Sequence, residues 1–342
     1  MILVTGGTGY LGSHVLFELA KANRCVRALY RDKNRIAFVK RIFSYYQPDY
    51  LELLNKIEWI QADINDYFTL TECMQDVNQV YHIAGLVSFN NKDRQQLNRI
   101  NTAGTANVVN ACLETGVGKL CHVSSIATLG ELNGHEPVHE DVVWNQGSSA
   151  SAYAISKFRG EMEVWRGIYE GLDAVIVNPS VIIGPGMWIG PGKQIFLSIQ
   201  KGLKYYPSGS SGYVDVRDVA RTMILLSDSH HTGERYILNA ENIPHQKYIN
   251  LLADAMGRSR PRYLVTPFLA KIAVIAESIR AIFTGLPLRI NLKTLEIASE
   301  TLAYSNAKVC DALGIAFMPI EESVNISVQL FIKEMNLTHK VS

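Results

Sequence analysis

The chain opens on a short apolar run, Met1-Ile-Leu-Val4, that passes straight into Thr5-Gly-Gly-Thr-Gly-Tyr-Leu-Gly12. Four apolar residues of this kind suit a buried parallel strand. Apolar residues at 15, 16, 19 and 20 then give Ser13 to Ala22 the spacing of a helix packed along one face. The glycines therefore occupy a strand-to-helix turn, where a helix N-terminus and bare backbone amides can hold a pyrophosphate. Two readings of the pattern overlap, Gly7-x-Gly9-x-x-Gly12 and Gly6-x-x-Gly9-x-x-Gly12, and both point to a dinucleotide.

Beyond that opening the chain alternates. Strand-like runs near residues 24–30, 57–61, 79–83, 119–124 and 174–178 are separated by helical patterns, which predicts an α/β fold with a doubly wound parallel sheet. Residues 33–56 are longer than such a connection requires and predict an extra helix. After Pro179 the rhythm changes. Gly184-Pro-Gly-Met-Trp-Ile-Gly-Pro-Gly192 reads as a loop, and short helical stretches follow with Tyr205, Tyr206 and Pro207.

A proton-transfer group is legible in the middle of the chain. In Ser151-Ala-Tyr-Ala-Ile-Ser-Lys157, Tyr153 and Lys157 lie four apart on a predicted helix, and Lys119-Leu-Cys-His-Val-Ser-Ser125 reads as a strand ending in serines. A phenol has an unperturbed pKa of about 10. An ammonium one turn away on the same face favours the phenolate and lowers that value. A serine hydroxyl beside the phenol can hold a carbonyl oxygen as negative charge develops on it. Spacing alone is weak: with 16 tyrosines and lysine at roughly one residue in twenty, about one Tyr-x-x-x-Lys is expected by chance. Tyr304-Ser-Asn-Ala-Lys308 is a second match, but it follows no serine-bearing strand and reads as a helix start.

Taken together, these segments resemble the extended short-chain dehydrogenase/reductase superfamily, and within it the dihydroflavonol-reductase-like branch. Tyr81-His-Ile-Ala-Gly85, Asn101-Thr-Ala-Gly-Thr-Ala-Asn107, Asn178-Pro-Ser-Val-Ile-Ile-Gly-Pro185 and Gly212-Tyr-Val-Asp-Val-Arg-Asp-Val219 extend the similarity over most of the chain. The resemblance implies a Rossmann-type domain from residues 1–179 plus 212–240 and a smaller mixed substrate lobe from 180–211 plus 241–335. It implies Ser125, Tyr153 and Lys157 as catalytic residues, with Asn101 in the proton relay. Tyr153 would be the general acid in carbonyl reduction, and Lys157 would lower its pKa and hold the nicotinamide ribose. Thr5, Gly6, Gly9, Tyr10, Leu11, Gly12, Asp63, Ile64, Ala84, Gly85 and Pro179 would border the dinucleotide. Helices 98–115 and 151–170 would form a four-helix contact in a homodimer.

Cofactor choice turns on the end of the second strand, where an acidic residue about 20 residues past the glycines would bind the ribose 2′-hydroxyl of NAD. Arg24-Cys-Val-Arg-Ala-Leu-Tyr30 ends without one. Arg31 follows, and its guanidinium suits the extra phosphate of NADP, with Lys33 and Arg35 nearby. Asp32 is the dissenting residue and keeps NAD open. Superfamily members that act on nucleotide-diphosphate sugars typically place an arginine just before the stretch equivalent to Gly212-Tyr-Val-Asp-Val216, where this chain has Ser211. Without that cation two phosphates lose a charge-assisted partner worth roughly 1.5–3 kcal/mol. An uncharged or weakly charged carbonyl, or the corresponding alcohol, is the expected substrate. Asn178, followed by proline, points instead to a sugar-nucleotide epimerase or dehydratase; steroid-dehydrogenase-like activity and non-catalytic NADP binding are further readings. Ser88, Phe89, Thr128, Asn178, Trp188, Phe196, Tyr206 and Tyr213 are the expected pocket residues.

Composition narrows the setting. With 47% hydrophobic and 19% charged residues the chain is ordinary for a soluble protein, and a net charge of +1 gives no reason to expect nucleic acid as a partner. Five cysteines, without a Cys-x-x-Cys pair, fit unpaired thiols and argue against a metal site. A first strand beginning at Met1 or Ile2 leaves no room for a signal peptide, so the cytoplasm is the expected compartment. The one candidate membrane segment, 263–285, is interrupted by Lys271, Glu277 and Arg280 and predicts an amphipathic helix.

Overall fold

The structure, a computed structural model, describes all residues except 131–135, 143, 145–149, 191, 267, 273, 275–276, 278–291 and 340–342. Pro191, Arg280 and much of the 263–285 segment therefore lie outside the described residues. Seven parallel strands form the central sheet: β1 (Ile2–Thr5), β2 (Val26–Tyr30), β3 (Ile57–Gln61), β4 (Gln79–His82), β5 (Lys119–Val123), β6 (Ala174–Pro179) and β10 (Glu234–Leu238). Their spatial order is β3-β2-β1-β4-β5-β6-β10. Both faces are covered, so strands such as β1 and β6 are buried along their whole length and are apolar until their C-terminal ends, where Thr5 and Asn178 stand.

The helices up to the end of the sheet are α1 (Tyr10–Lys21), α2 (Ile36–Ser44), α3 (Tyr50–Asn55), α4 (Tyr67–Cys73), α5 (Arg94–Leu97), α6 (Gly104–Thr115), α7 (Ala152–Tyr169), α8 (Lys193–Gln200) and α9 (Val216–Asp228). On one face α1, α2 and α9 close a core around Val15, Leu16, Phe17, Phe43 and Met223. On the other, α4, α6 and α7 close a core around Leu70, Val108, Val109 and Val164. Residues 33–56 hold two helices, α2 and α3, one more than a single crossover requires.

The stretch 98–115 is not one regular helix: Asn98–Ala103 forms a wider, π-type turn before α6. The turn sits where two elements crowd it. Asn101 accepts from the Leu86 amide at 2.7 Å and donates to the Leu86 carbonyl at 2.9 Å. On the other side α7 approaches so closely that a Cβ on Gly160 would lie 2.2 Å from the Asn101 carbonyl oxygen.

A smaller sheet stands beyond Pro179. Its strands β7 (Val181–Ile183), β9 (Ser210–Asp215) and β11 (Glu241–Pro244) lie in the order β11-β9-β7, with β9 parallel to β7 and antiparallel to β11. A separate pair joins β8 (Tyr205–Tyr206) to β12 (Tyr263–Leu264). Within residues 212–240, then, β10 joins the large sheet through α9, which packs on α1, whereas residues 210–215 belong to the small one. The core beside the small sheet is aromatic. Trp188, Phe196 and Phe331 meet with ring centroids 5.2–5.8 Å apart, and Tyr213 stacks on Tyr248 of helix α10 (His245–Ala255). Among the described residues no helix is long and apolar enough to cross a membrane.

Candidate active site

β1 ends at Thr5 and α1 begins at Tyr10, so the glycines make the turn between them. Gly6 sits at φ +69°, and a Cβ there would lie 2.6 Å from the Ala84 amide nitrogen. A Cβ on Gly12 would lie 2.2 Å from the Gly6 carbonyl oxygen. Glycine is thus required for β1, β4 and α1 to close this tightly. Gly9 brings no side-chain cap, no acid stands in the first turn, and the first helical bond runs from the Ser13 amide to the Gly9 carbonyl at 3.0 Å. The amides of Tyr10, Leu11 and Gly12 have no acceptor within the helix, a donor set that fits a pyrophosphate.

A cavity of about 1420 Å³ opens over this turn. Thr5, Gly6, Gly9, Tyr10, Leu11, Gly12, Arg31, Asp63, Ile64, Ala84, Gly85, Ser125, Tyr153, Lys157 and Pro179 all border it. Among the described residues the Arg31 guanidinium has no hydrogen-bonding partner, its carbonyl alone being engaged, by Gln61. Asp32, which also borders the cavity, is occupied: its Oδ1 accepts from the Asn34 amide at 2.9 Å and caps the turn Lys33–Arg35.

Ser125 leaves the end of β5, where its Oγ accepts from the Ala127 amide at 3.2 Å. Tyr153 and Lys157 stand on α7, whose start is fixed by Ser151 Oγ accepting from the Ala154 amide at 3.1 Å. The Tyr153 ring meets Phe89 edge-on at 5.6 Å. Burial raises the Tyr153 pKa, and a hydrogen bond with Ser125 acts against that rise. The buried Lys157 ammonium donates to the Val123 carbonyl at 2.6 Å, and burial brings it down to about 8 while the charge of Glu161 opposes the drop. The expected lowering of the phenol by its neighbouring lysine is therefore not what this arrangement gives, because Lys157 is turned to Val123 and burial dominates at Tyr153. Asn101 does not border the cavity; its amide holds the Leu86 backbone and donates to Ser156 Oγ at 3.0 Å. Behind Lys157 lie His82 and His122, ring centroids 5.1 Å apart. Burial, then the Lys157 charge, pushes His82 down to about 3 and His122 well below its usual value.

Sequence reasoning missed the polar network under Ser125. Glu161 is fully buried, and its Oε2 accepts from Ser124 Oγ at 2.5 Å, Thr128 Oγ1 at 2.7 Å and Asn178 Nδ2 at 3.0 Å. Its Oε1 takes the Arg235 guanidinium at 3.0 Å. Asn178 also donates to the Ser125 carbonyl at 3.2 Å, so the network reaches the backbone of the catalytic candidate. A signal existed: Glu161 stands one turn past Lys157 on the same helix face, where a buried charge requires partners.

Of the residues expected in the substrate pocket, Phe89 borders the cavity and the others do not. Thr128 and Asn178 belong to the Glu161 network. Trp188, Phe196 and Tyr213 are core residues of the smaller lobe, and Tyr206 packs against that core from β8. Ser88 donates to Asp93 at 2.5 Å within its own loop. A lobe this small needs its largest rings to hold itself together, which composition alone could not reveal. The wall is instead formed by Val87, Ile126, Leu129, Trp144, Val181, Met187, Ile297, Leu302 and Tyr304, with Ser210, Ser211, His245 and Glu300. Tyr304 precedes its helix, Ala307–Leu313, and Lys308 pairs with Glu234 at 2.8 Å, so the second Tyr-x-x-x-Lys match forms no comparable pair.

The model of the NAD dependent epimerase/dehydratase family matches residues 2–239. The chain is 30% identical over 335 residues to a putative dihydroflavonol 4-reductase of Synechocystis sp., with 96% of this chain and 93% of the relative covered. It is 26% identical over 317 residues to sterol demethylase protein B of Methylococcus capsulatus, with 92% of each covered. The crystal structure of gox2253 superposes with a TM-score of 0.80 at 28% identity, covering 98% of both chains. With the glycine turn, the parallel sheet and this coverage in agreement, the chain belongs to the NAD dependent epimerase/dehydratase family and is an NAD(P)-dependent oxidoreductase of the extended short-chain dehydrogenase type.

Proposed function

We propose that this chain reduces an aldehyde or ketone with an apolar or aromatic body, using NADPH. One observation carries the reading. Among the described residues, the cavity wall contributed by the smaller sheet and residues 297–304 holds no lysine or arginine, and Ser211 stands on it where sugar-nucleotide enzymes are expected to hold a cation. Asn178, the residue that favoured a sugar nucleotide, does not border the cavity, and its Nδ2 donates to Thr128, Glu161 and the Ser125 carbonyl. The putative dihydroflavonol 4-reductase relative supports the same direction.

NADPH, when bound, supplies the hydride. The glycine-turn amides hold its pyrophosphate and Arg31 its additional phosphate. Ser125 donates a hydrogen bond to the substrate oxygen, and the Tyr153 phenol delivers the proton that completes the alcohol. Lys157, held by the Val123 carbonyl, orients the ribose. Residues 180–215 plus 241–335 act as the substrate lobe, with β9 at the centre of its sheet. We assign the protein to the cytoplasm as a homodimer through α6 and α7; Met162 and Tyr169 are exposed on α7, and sedimentation checks the assembly. Calorimetry of the NADP-loaded protein against nucleotide sugars, beside an NADPH-absorbance screen of aldehydes and ketones, tests the reading. Carbonyl turnover without sugar-nucleotide binding is the expected result; micromolar binding of a nucleotide sugar with no carbonyl turnover overturns it.

A further inference from the structure

The cavity wall on the side of the smaller sheet carries a hydrogen-bonding corner that hydride and proton transfer do not use. His245 begins α10 directly after Pro244, which pairs with Ser210 across β11 and β9, and the His245 amide donates to the Gly209 carbonyl at 3.0 Å. His245 borders the cavity, and its ring Nδ1 meets the Tyr213 hydroxyl at 2.5 Å. Among the described residues that hydroxyl has no other partner. Were Nδ1 the donor, the phenolic hydrogen would lack an acceptor; the phenol therefore donates, and the ring proton sits on Nε2. Burial raises the Tyr213 phenol and lowers His245, so both partners are neutral at pH 7, as this assignment requires. Ser211 lies two residues before Tyr213 on the same side of β9 and also borders the cavity. Its hydroxyl has no protein partner among the described residues. Val181, Met187, Ile297 and Leu302 make the surrounding wall apolar.

We propose that His245, fixed by Tyr213 and joined by Ser211, binds a hydroxyl group carried on the apolar body of the carbonyl substrate, and so selects hydroxylated carbonyl compounds over unsubstituted ones. The proposal rests on the reductase reading and names the substrate class of that site. A hydroxyl both accepts and donates, and here it meets a neutral N–H donor and a serine able to do either. Among the described residues on this side of the cavity, a carboxylate or phosphate would find no lysine or arginine.

The test is kcat/KM, read by NADPH absorbance, for matched pairs of aromatic aldehydes and ketones with and without a hydroxyl remote from the carbonyl. The wild-type chain should favour the hydroxylated member by roughly 10-fold to 100-fold, the cost of leaving a buried donor unpaired. His245→Leu should collapse that ratio to near one, and His245→Gln, which keeps an N–H donor, should retain part of it. Tyr213→Phe, which keeps the ring and frees the histidine tautomer, should lower the ratio several-fold and serves as an independent variant. A wild-type ratio near one, or a ratio unchanged in both His245→Leu and Tyr213→Phe, overturns the proposal while carbonyl turnover leaves the reductase reading standing. No turnover of any pair overturns both.

Discussion

As the proposed proton donor, Tyr153 must keep its proton until a carbonyl oxygen arrives to take it. Burial holds the phenol in that form, and the Ser125 hydrogen bond tempers the effect. Tyr153→Phe keeps the ring against Phe89 and removes the transferable proton. Turnover should fall about 100-fold or more, while cofactor affinity, titrated by fluorescence, stays near that of the parent; equal turnover would remove Tyr153 from the chemistry. At the other end of the cofactor, Arg31→Ala should weaken NADPH by roughly 10-fold to 100-fold and leave NADH little changed, since one charge-assisted contact is lost. A parent that prefers NADH would instead give the selecting role to Asp32, despite its engagement with the Asn34 amide. Residues such as Ser125, Tyr153, Lys157 and the glycines were legible because their spacing is dictated by the groups they must reach. Trp188 and Phe196 were not, because an aromatic side chain reads the same in sequence whether it faces a cavity or a core.

On helix α7, Glu161 faces the sheet with 0% of its side chain exposed and Arg235 of β10 opposite. Arg235→Met leaves a buried carboxylate without its cation, and should cost about 3–5 kcal/mol in urea unfolding. The double variant Glu161→Leu with Arg235→Met should recover part of that loss, because both charges are gone while Ser124, Thr128 and Asn178 lose their acceptor. A single Arg235→Met variant as stable as the parent would show that Ser124, Thr128 and Asn178 hold the carboxylate unaided. Six strands of the sheet were legible from short runs rich in apolar residues, clearest at β1 and β6, which are buried along their whole length. The destinations of β9 and β10 were not: residues 212–240 were expected together in the large domain, and what separates the two strands is pairing with β7 in one case and with β6 in the other. The π-type turn at Asn98–Ala103 was invisible for the same reason, as it answers to Gly160 on a distant helix.

The sheet and the helix α1 packed on it hold histidines kept neutral. His14 and His82 are each pushed down to about 3, chiefly by burial, and His122 falls well below its usual value. In the unfolded chain these groups take up protons near pH 6.5, and in the folded chain they do so only far lower. The unfolded state therefore binds more protons between those limits, and stability falls as pH drops from about 6.5 toward 3, by up to about 1.4 kcal/mol per pH unit for each histidine. Urea midpoints measured at pH 7, 5 and 4 should decline steadily; a flat series would mean that these rings are charged in the fold. The order of the strands has a further consequence, for synthesis. β6 is buried between β5 and β10, yet β10 comes from residues 234–238, after the chain has already begun the smaller sheet. At ribosomal rates of about 5–20 residues per second, the intervening stretch takes roughly 3–10 s to emerge. For that interval the nascent chain presents an apolar strand with one edge unpaired, and residues 1–183 produced alone should aggregate where 1–240 stays dispersed. A chaperone that attends this protein on the ribosome has its natural landing place there, along the open side of Ala174–Pro179.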